Sequence, residues 1–149
     1  AVFNLYELSQ EIAFNIDEWS KIISDASAVI YQFPFYWMSA PSLLKKWQDE
    51  VFTFLSKTPA VAGKSLTVVT TTGSEYEAYR SGGRNRFTMD ELLRPYQVSA
   101  IHSGMSWQTP IVVYGMGTAD AGKNIAEGAN LYKQRVEMLI GNSNAGNNW

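Results

Sequence analysis

Apolar positions along this chain follow two alternating rhythms. Ala28 to Phe33 is an almost unbroken apolar run, and Leu66-Thr67-Val68-Val69-Thr70 and Ile111-Val112-Val113-Tyr114 repeat the pattern. Short runs of this kind read as strands buried on both faces of a parallel sheet. Val2-Phe3-Asn4-Leu5-Tyr6 is a further strand candidate. Between the runs the spacing changes to three and four. Trp19, Ile22, Ile23 and Ala26 recur at helical spacing behind Asp17, which can cap a helix over 18–26. A second helix is predicted over 40–54, with Pro41 in its first turn and Leu44, Trp47, Val51 and Phe54 as its apolar stripe. Thr88 can cap a helix from Met89, with Glu91 as the capping-box acid, and Pro95 should kink or divide that helix. The last helix is predicted over 119–139, with Ile125, Ala129, Tyr132, Val136 and Leu139 on one face. The Asn/Gly-rich residues 141–149 read as a frayed tail. Strands alternating with helices predict a parallel α/β sheet, and no repeat or linker divides the chain, so one domain over 1–149 is expected.

Composition narrows the function classes. With 46% hydrophobic and 17% charged residues among 149, a sizeable core is expected. The formal charge of −2 argues against a nucleic-acid partner, which calls for a basic face. There is no cysteine, which excludes disulfides, thiolate metal sites and cysteine nucleophiles, and the single His102 rules out a multi-histidine zinc site. No apolar run approaches transmembrane length and no signal-peptide pattern opens the chain. The reading is a soluble, cytoplasmic protein.

Two segments that follow strands carry the candidate chemistry. Pro34-Phe35-Tyr36-Trp37-Met38 places three adjacent aromatics in a Pro-bounded loop. Aromatic rings usually lie in the core, so such a loop packs either on a planar cofactor or on the protein's own core or a second subunit. Thr71-Thr72-Gly73-Ser74 offers hydroxyls and amides, which can meet a cofactor's polar edge or bond their own backbone in an ordinary turn. Ligands of open α/β sheets bind beyond the carboxyl ends of the strands, where both loops lie. Arg80, Arg84 and Arg86 can meet the phosphates of a nicotinamide dinucleotide, or form a solvated loop. Glu75 and Glu77 make no convincing acid/base pair, and His102 sits at a helix end before the stop Gly104. No Walker loop or Gly-x-Gly-x-x-Gly is present.

Taken in order, Phe33-Pro34-Phe35-Tyr36-Trp37 with Pro41, Leu43-Leu44-Lys45-Lys46-Trp47, Thr71-Thr72-Gly73, Tyr79-Arg80 with Gly82-Gly83, Asn85-Arg86-Phe87-Thr88 and Glu91-Leu92-Leu93-Arg94-Pro95-Tyr96 resemble the flavodoxin-like NAD(P)H:quinone oxidoreductases. That family includes diaphorase-type quinone reductases, bacterial general stress and drug-modulator reductases, and ancillary subunits of glutathione-gated potassium efflux systems. The resemblance implies a flavodoxin-like three-layer sandwich and a flavin, FMN or FAD. It implies flavin binding by Pro34, Phe35, Tyr36, Trp37, Met38, Thr71, Thr72, Gly73 and Ser74, with NAD(P)H as electron donor and a quinone-like acceptor. It implies Tyr79 as a catalytic residue at the ring edge. Asn85 falls where the diaphorase-type enzymes have a histidine; asparagine can hydrogen-bond but cannot titrate near neutral pH. It further implies a homodimer with sites at the subunit interface, and Trp37, Trp47 and Phe52 are then expected to be part core and part interface. The alternatives are a regulatory subunit of a potassium efflux transporter and a flavodoxin-like electron carrier. The family starts with a central strand and phosphate loop, whereas this chain starts at what looks like the second strand. The first βα unit is therefore expected to be absent from the sequence given, leaving a gap of one strand between Val2 and Val29.

Overall fold

The computed structural model describes residues 1–8 and 13–145. Its helices are α1 (Leu5–Leu8), α2 (Ile16–Asp25), α3 (Ser42–Trp47), α4 (Thr53–Leu55), α5 (Met89–Leu92), α6 (Arg94–His102) and α7 (Ala121–Ala145). Its strands are β1 (Ala28–Pro34), β2 (Ser65–Thr71), β3 (Ser106–Trp107) and β4 (Ile111–Val113). A single π turn, Gln48–Phe52, joins α3 to α4, and a 3-10 turn, Tyr76–Tyr79, follows β2.

Every pairing between strands is parallel. β2 is central, with β1 on one side and β3 and β4 on the other. Its residues from Leu66 to Thr70 are all buried, as a strand covered on both faces requires. The register separates the two faces. Val29, Tyr31 and Phe33 of β1 share a face with Leu66, Val68 and Thr70 of β2. Against this face pack Trp47, Phe52 and Tyr96 of the helical layer, with Trp19 edge-on to Trp47 at 5.2 Å. Val69 and Thr71 share the opposite face with Ile111 and Val113 of β4. Here α7 descends onto Val113 at Gly128, where a Cβ would lie 2.3 Å from Val113 Cγ2. The helices thus cover both sides of the sheet. On this side of β1, Ile30 is half-buried and Gln32 and Pro34 are exposed.

Several expectations need correction. Val2 to Tyr6 is not a strand: Asn4 Oδ1 accepts the Tyr6 N–H at 3.1 Å and opens the short helix α1. No strand at Val2 is therefore available to define the expected gap, and β1 carries no second neighbour among the described residues. The α2 cap is Asn15, whose side chain accepts from the Asp17 and Glu18 amides, so Asp17 lies inside the helix. The helix from Ser42 buries Leu44, Trp47 and Val51 as expected, but then Phe52 and Leu55, leaving Phe54 55% exposed. The π turn explains the slip, because one extra residue per turn rotates everything after it. α7 continues through the segment read as a tail as far as Ala145, and 146–149 lie outside the described residues. Its buried face begins at Gly128, with Ile125 exposed, because the glycine is what lets the helix close on β4. Trp47 and Phe52 belong wholly to the core.

Other expectations match. Thr88 and Glu91 form the reciprocal capping box of α5. Helix α6 begins at Arg94 with Pro95 in its first turn, so the helix divides at Leu93, two residues before the proline. Gly104 ends α6 at φ +70°.

Candidate functional site

β1 and β2 end side by side, with Pro34 opposite Thr71. The Phe35 N–H extends the ladder by donating to Thr71 O at 2.9 Å. Phe35 itself turns inward, is buried, and meets Tyr79 edge-to-face at 6.1 Å. The chain then reverses within four residues. Tyr36 and Ser39 exchange both backbone hydrogen bonds, at 2.9 and 3.0 Å, and Trp37 and Met38 between them have φ of +48° and +62°. This is a two-residue turn in the left-handed form that normally selects Asn-Gly. An L side chain there costs about 1–2 kcal/mol per residue. The turn lifts Trp37 into solvent at 98% exposure, with Tyr36 at 61% and Met38 at 46%.

The loop after β2 lies beside it. Thr72 is buried: its N–H donates to Val113 O at 2.9 Å and its hydroxyl to Ser74 O at 2.7 Å. That hydroxyl shapes the loop and is not available to a ligand. Ser74 Oγ accepts from Arg84 at 2.5 Å. Among the described residues, the amides of Gly73 and Ser74 donate to no acceptor, so the loop keeps open donors at its rim. A third loop, missed in the sequence, backs it. The N–H groups of Gly115, Met116 and Gly117 donate to the carbonyls of Ser74, Thr72 and Gly73 in turn. A Cβ at Gly117 would lie 3.0 Å from Gly73 O. The rule that found the first two loops also points to this one, since Tyr114-Gly115-Met116-Gly117 follows β4.

Tyr79 lies between these loops and a neighbouring cleft. Its ring is buried, with Phe35 on one side and Tyr114 at 5.9 Å on the other. Beyond Tyr114 and Tyr76 opens a cleft of about 680 Å³, flanked by Met89, Leu131 and Arg135, which takes in neither the aromatic turn nor the Thr-Thr-Gly-Ser loop. Burial, with Tyr76 close by, pushes the Tyr114 hydroxyl up to about 12, so it stays protonated at neutral pH. Asn85 returns under the 3-10 turn by donating its N–H to Ala78 O at 3.0 Å, and no hydrogen bond links it to Tyr79 among the described residues. Gly83 is required for that return, since a Cβ there would lie 2.2 Å from Glu77 O. Arg80 pairs with Glu77 at 3.2 Å and Arg84 donates to the Ser74 hydroxyl, so neither Arg84 nor Arg86 makes a salt bridge among the described residues. No group of three or more potential metal ligands occurs among the described residues, and no described helix is long and apolar enough to cross a membrane.

The residues present fit a planar, polar-edged cofactor. The turn offers apolar planes with no partner of their own, and the neighbouring loop offers free N–H groups. A family model for the flavodoxin-like fold matches residues 1–136. General stress protein 14 of Bacillus subtilis is 36% identical over 92% of this chain and 80% of its own. The uncharacterized NAD(P)H oxidoreductase YdeQ of the same organism is 34% identical over 93% and 72%. The potassium-efflux ancillary protein KefG of Pectobacterium atrosepticum is 36% identical over 76% of this chain, which spans 64% of that relative. Among solved structures, general stress protein 14 of Treponema denticola in complex with FMN superposes with a TM-score of 0.83 at 26% identity, covering 93% of this chain and 81% of that one. A structure described as a thermophilic tryptophan halogenase from Streptomycin violaceusniger gives 0.84 at 35%, covering 91% and 81%. An NADPH-quinone reductase from P. pentosaceus gives 0.68 at 31%, covering 77% and 73%. The chain belongs to the flavodoxin-like fold family and, within it, to the NAD(P)H oxidoreductases, which are enzymes.

Proposed function

We propose that this protein is an NAD(P)H-dependent flavoprotein reductase of quinone-like acceptors, working by ping-pong transfer through flavin. The observation that carries the reading is the pairing of two unlike loops at the ends of adjacent parallel strands. One holds exposed rings in a strained turn, and the other presents unbonded amides. FMN in the Treponema denticola relative supports FMN over FAD. When bound, the flavin accepts a hydride from the nicotinamide and passes two electrons on to the acceptor.

The chain's own residues bind and orient it. Tyr36, Trp37 and Met38 cover the ring, while the Gly73 and Ser74 amides donate to its polar edge. Pro34, Phe35, Thr71 and Thr72 hold those groups in place from beneath. Tyr79 is the candidate donor to negative charge developing at the ring edge, with Asn85 as a weaker partner. The protein is taken to work in the cytoplasm as a homodimer, which would cover Trp37 and Phe54. KefG relatives support a second reading, in which a potassium-efflux transporter is the partner; co-purification with such a transporter tests it. The electron-carrier alternative predicts flavin binding without turnover of NAD(P)H.

Titration of the protein with FMN and FAD, followed by anaerobic mixing with NADH or NADPH and then a quinone, tests the main reading. The absence of a flavin spectrum in any mixture would exclude it. Tyr79→Phe should slow flavin reduction while leaving the flavin bound; an unchanged rate would remove Tyr79 from the mechanism. Sedimentation at micromolar concentration decides the homodimer.

A further inference from the structure

The aromatic turn is held from outside its own segment. Tyr96, on α6, is buried with its ring against Phe33 at 5.4 Å and edge-on to Tyr31 at 6.3 Å. Its hydroxyl reaches past β1 to the turn. There it accepts the Ala40 N–H at 3.2 Å and lies 3.5 Å from Ser39 Oγ. Ser39 is the residue that closes the turn on Tyr36 through both backbone bonds.

A turn with Trp37 and Met38 at positive φ does not hold itself, because relaxation of either residue to negative φ removes strain and breaks the Tyr36–Ser39 pairing. It persists only where its surroundings over-determine it, and Tyr96 is the contact that reaches its closing end from another element. We propose that Tyr96 is a positioning residue. By fixing Ser39 and Ala40, its hydroxyl keeps Trp37 and Met38 raised in the orientation from which they meet a planar ligand. The seat of α6, set by Pro95 and the Thr88–Glu91 box, thereby fixes the attitude of a loop at the far end of β1. This rests on the proposed function for the identity of the ligand; the hold on the turn stands apart from it.

Tyr96→Phe keeps the ring and removes the hydroxyl. The protein is labelled with 5-fluorotryptophan and its 19F spectrum taken without flavin, the Trp37 line being assigned by Trp37→Phe. Trp37 is already solvated, so the readout is mobility: in Tyr96→Phe the Trp37 line should narrow toward its width in unfolded protein while the lines of Trp19 and Trp47 hold. The FMN dissociation constant should rise about fivefold to tenfold, as the loss of one hydrogen bond allows. A Trp37 line of unchanged width in Tyr96→Phe overturns the proposal. So does movement of all the tryptophan lines together with a lower urea midpoint, which would make Tyr96 a core residue only. If the wild-type protein binds no FMN, the functional reading fails, and the Trp37 line still decides the role of Tyr96.

Discussion

Trp37 and Trp47 are the same side chain with opposite surroundings. Trp47 is 3% exposed and touches Trp19, Tyr31 and Phe52 with ring centroids 5.2 to 6.1 Å away. Its enclosed indole N–H has no acceptor among the described residues, and the enclosed ring area more than offsets that unmade bond. Trp37 gives no ring area to the fold, and its backbone is strained to hold it out. The aromatics beneath β1 stabilise the fold, whereas those just beyond its end are held out of it at a cost in backbone strain. Under the proposed function that strain holds the rings where a planar ligand would meet them.

Alanine at the two positions should separate these roles most widely. Trp47→Ala should destabilise the protein by ~3–5 kcal/mol in urea unfolding, through the cavity it leaves among packed rings. Trp37→Ala should stay within about 0.5 kcal/mol of wild type yet weaken FMN binding. A large loss of stability at Trp37 would erase the contrast. Next in size, Met38→Gly should raise stability by about 0.5–1 kcal/mol net, because relief of left-handed strain outweighs the entropy of a glycine. It should also loosen the flavin, and a variant that gains stability with unchanged affinity would show that the strain serves nothing at this site.

The smallest effect concerns the helix pair that carries Tyr96. Hydrogen bonds from the Thr88 N–H and hydroxyl hold the Glu91 carboxyl below the usual carboxylate range. A folded value below the unfolded one means that the stabilisation is present above the unfolded pKa, about 4.3, and is lost as pH falls through the folded value. The melting-temperature gap between wild type and Glu91→Gln should therefore be widest near pH 7 and close on acidification below about pH 4. A gap that persists unchanged at pH 3 would dissociate the capping box from that carboxylate.

Much of this was legible in the residues. The runs at Ala28, Leu66 and Ile111 are strands because continuous apolar residues suit a strand covered on both faces. Thr88, Glu91, Pro95 and Gly104 act locally, through caps and fixed backbone angles, so they could be read locally. Val2 to Tyr6 failed because alternation over so few residues does not outweigh one Asn cap. The aromatic loop and the hydroxyl loop were both visible, but their division of labour was not. Phe35 and Thr72 turn inward, in step with the alternation of β1 and β2, while Tyr36, Trp37 and the Gly73 and Ser74 amides remain outside; how far that alternation runs on is decided by the ladder bonds that Phe35 and Thr72 make to other strands.

The sequence by itself determined the parallel α/β class, three of the four strands and the two loops beyond β1 and β2 on which the proposed site is built. Periodicity, caps and strand ends are set by neighbours along the chain. Only the tertiary structure decided which way those loops face and what holds them. The π turn shifts the α3–α4 stripe, Gly128 sets α7 on Val113, and the Tyr96 hydroxyl meets Ala40 across 56 positions of sequence. Each depends on atoms from distant segments arriving at a few ångströms' separation. Such contacts depend on how the sheet, once formed, brings its helices to rest, and periodicity carries no record of that.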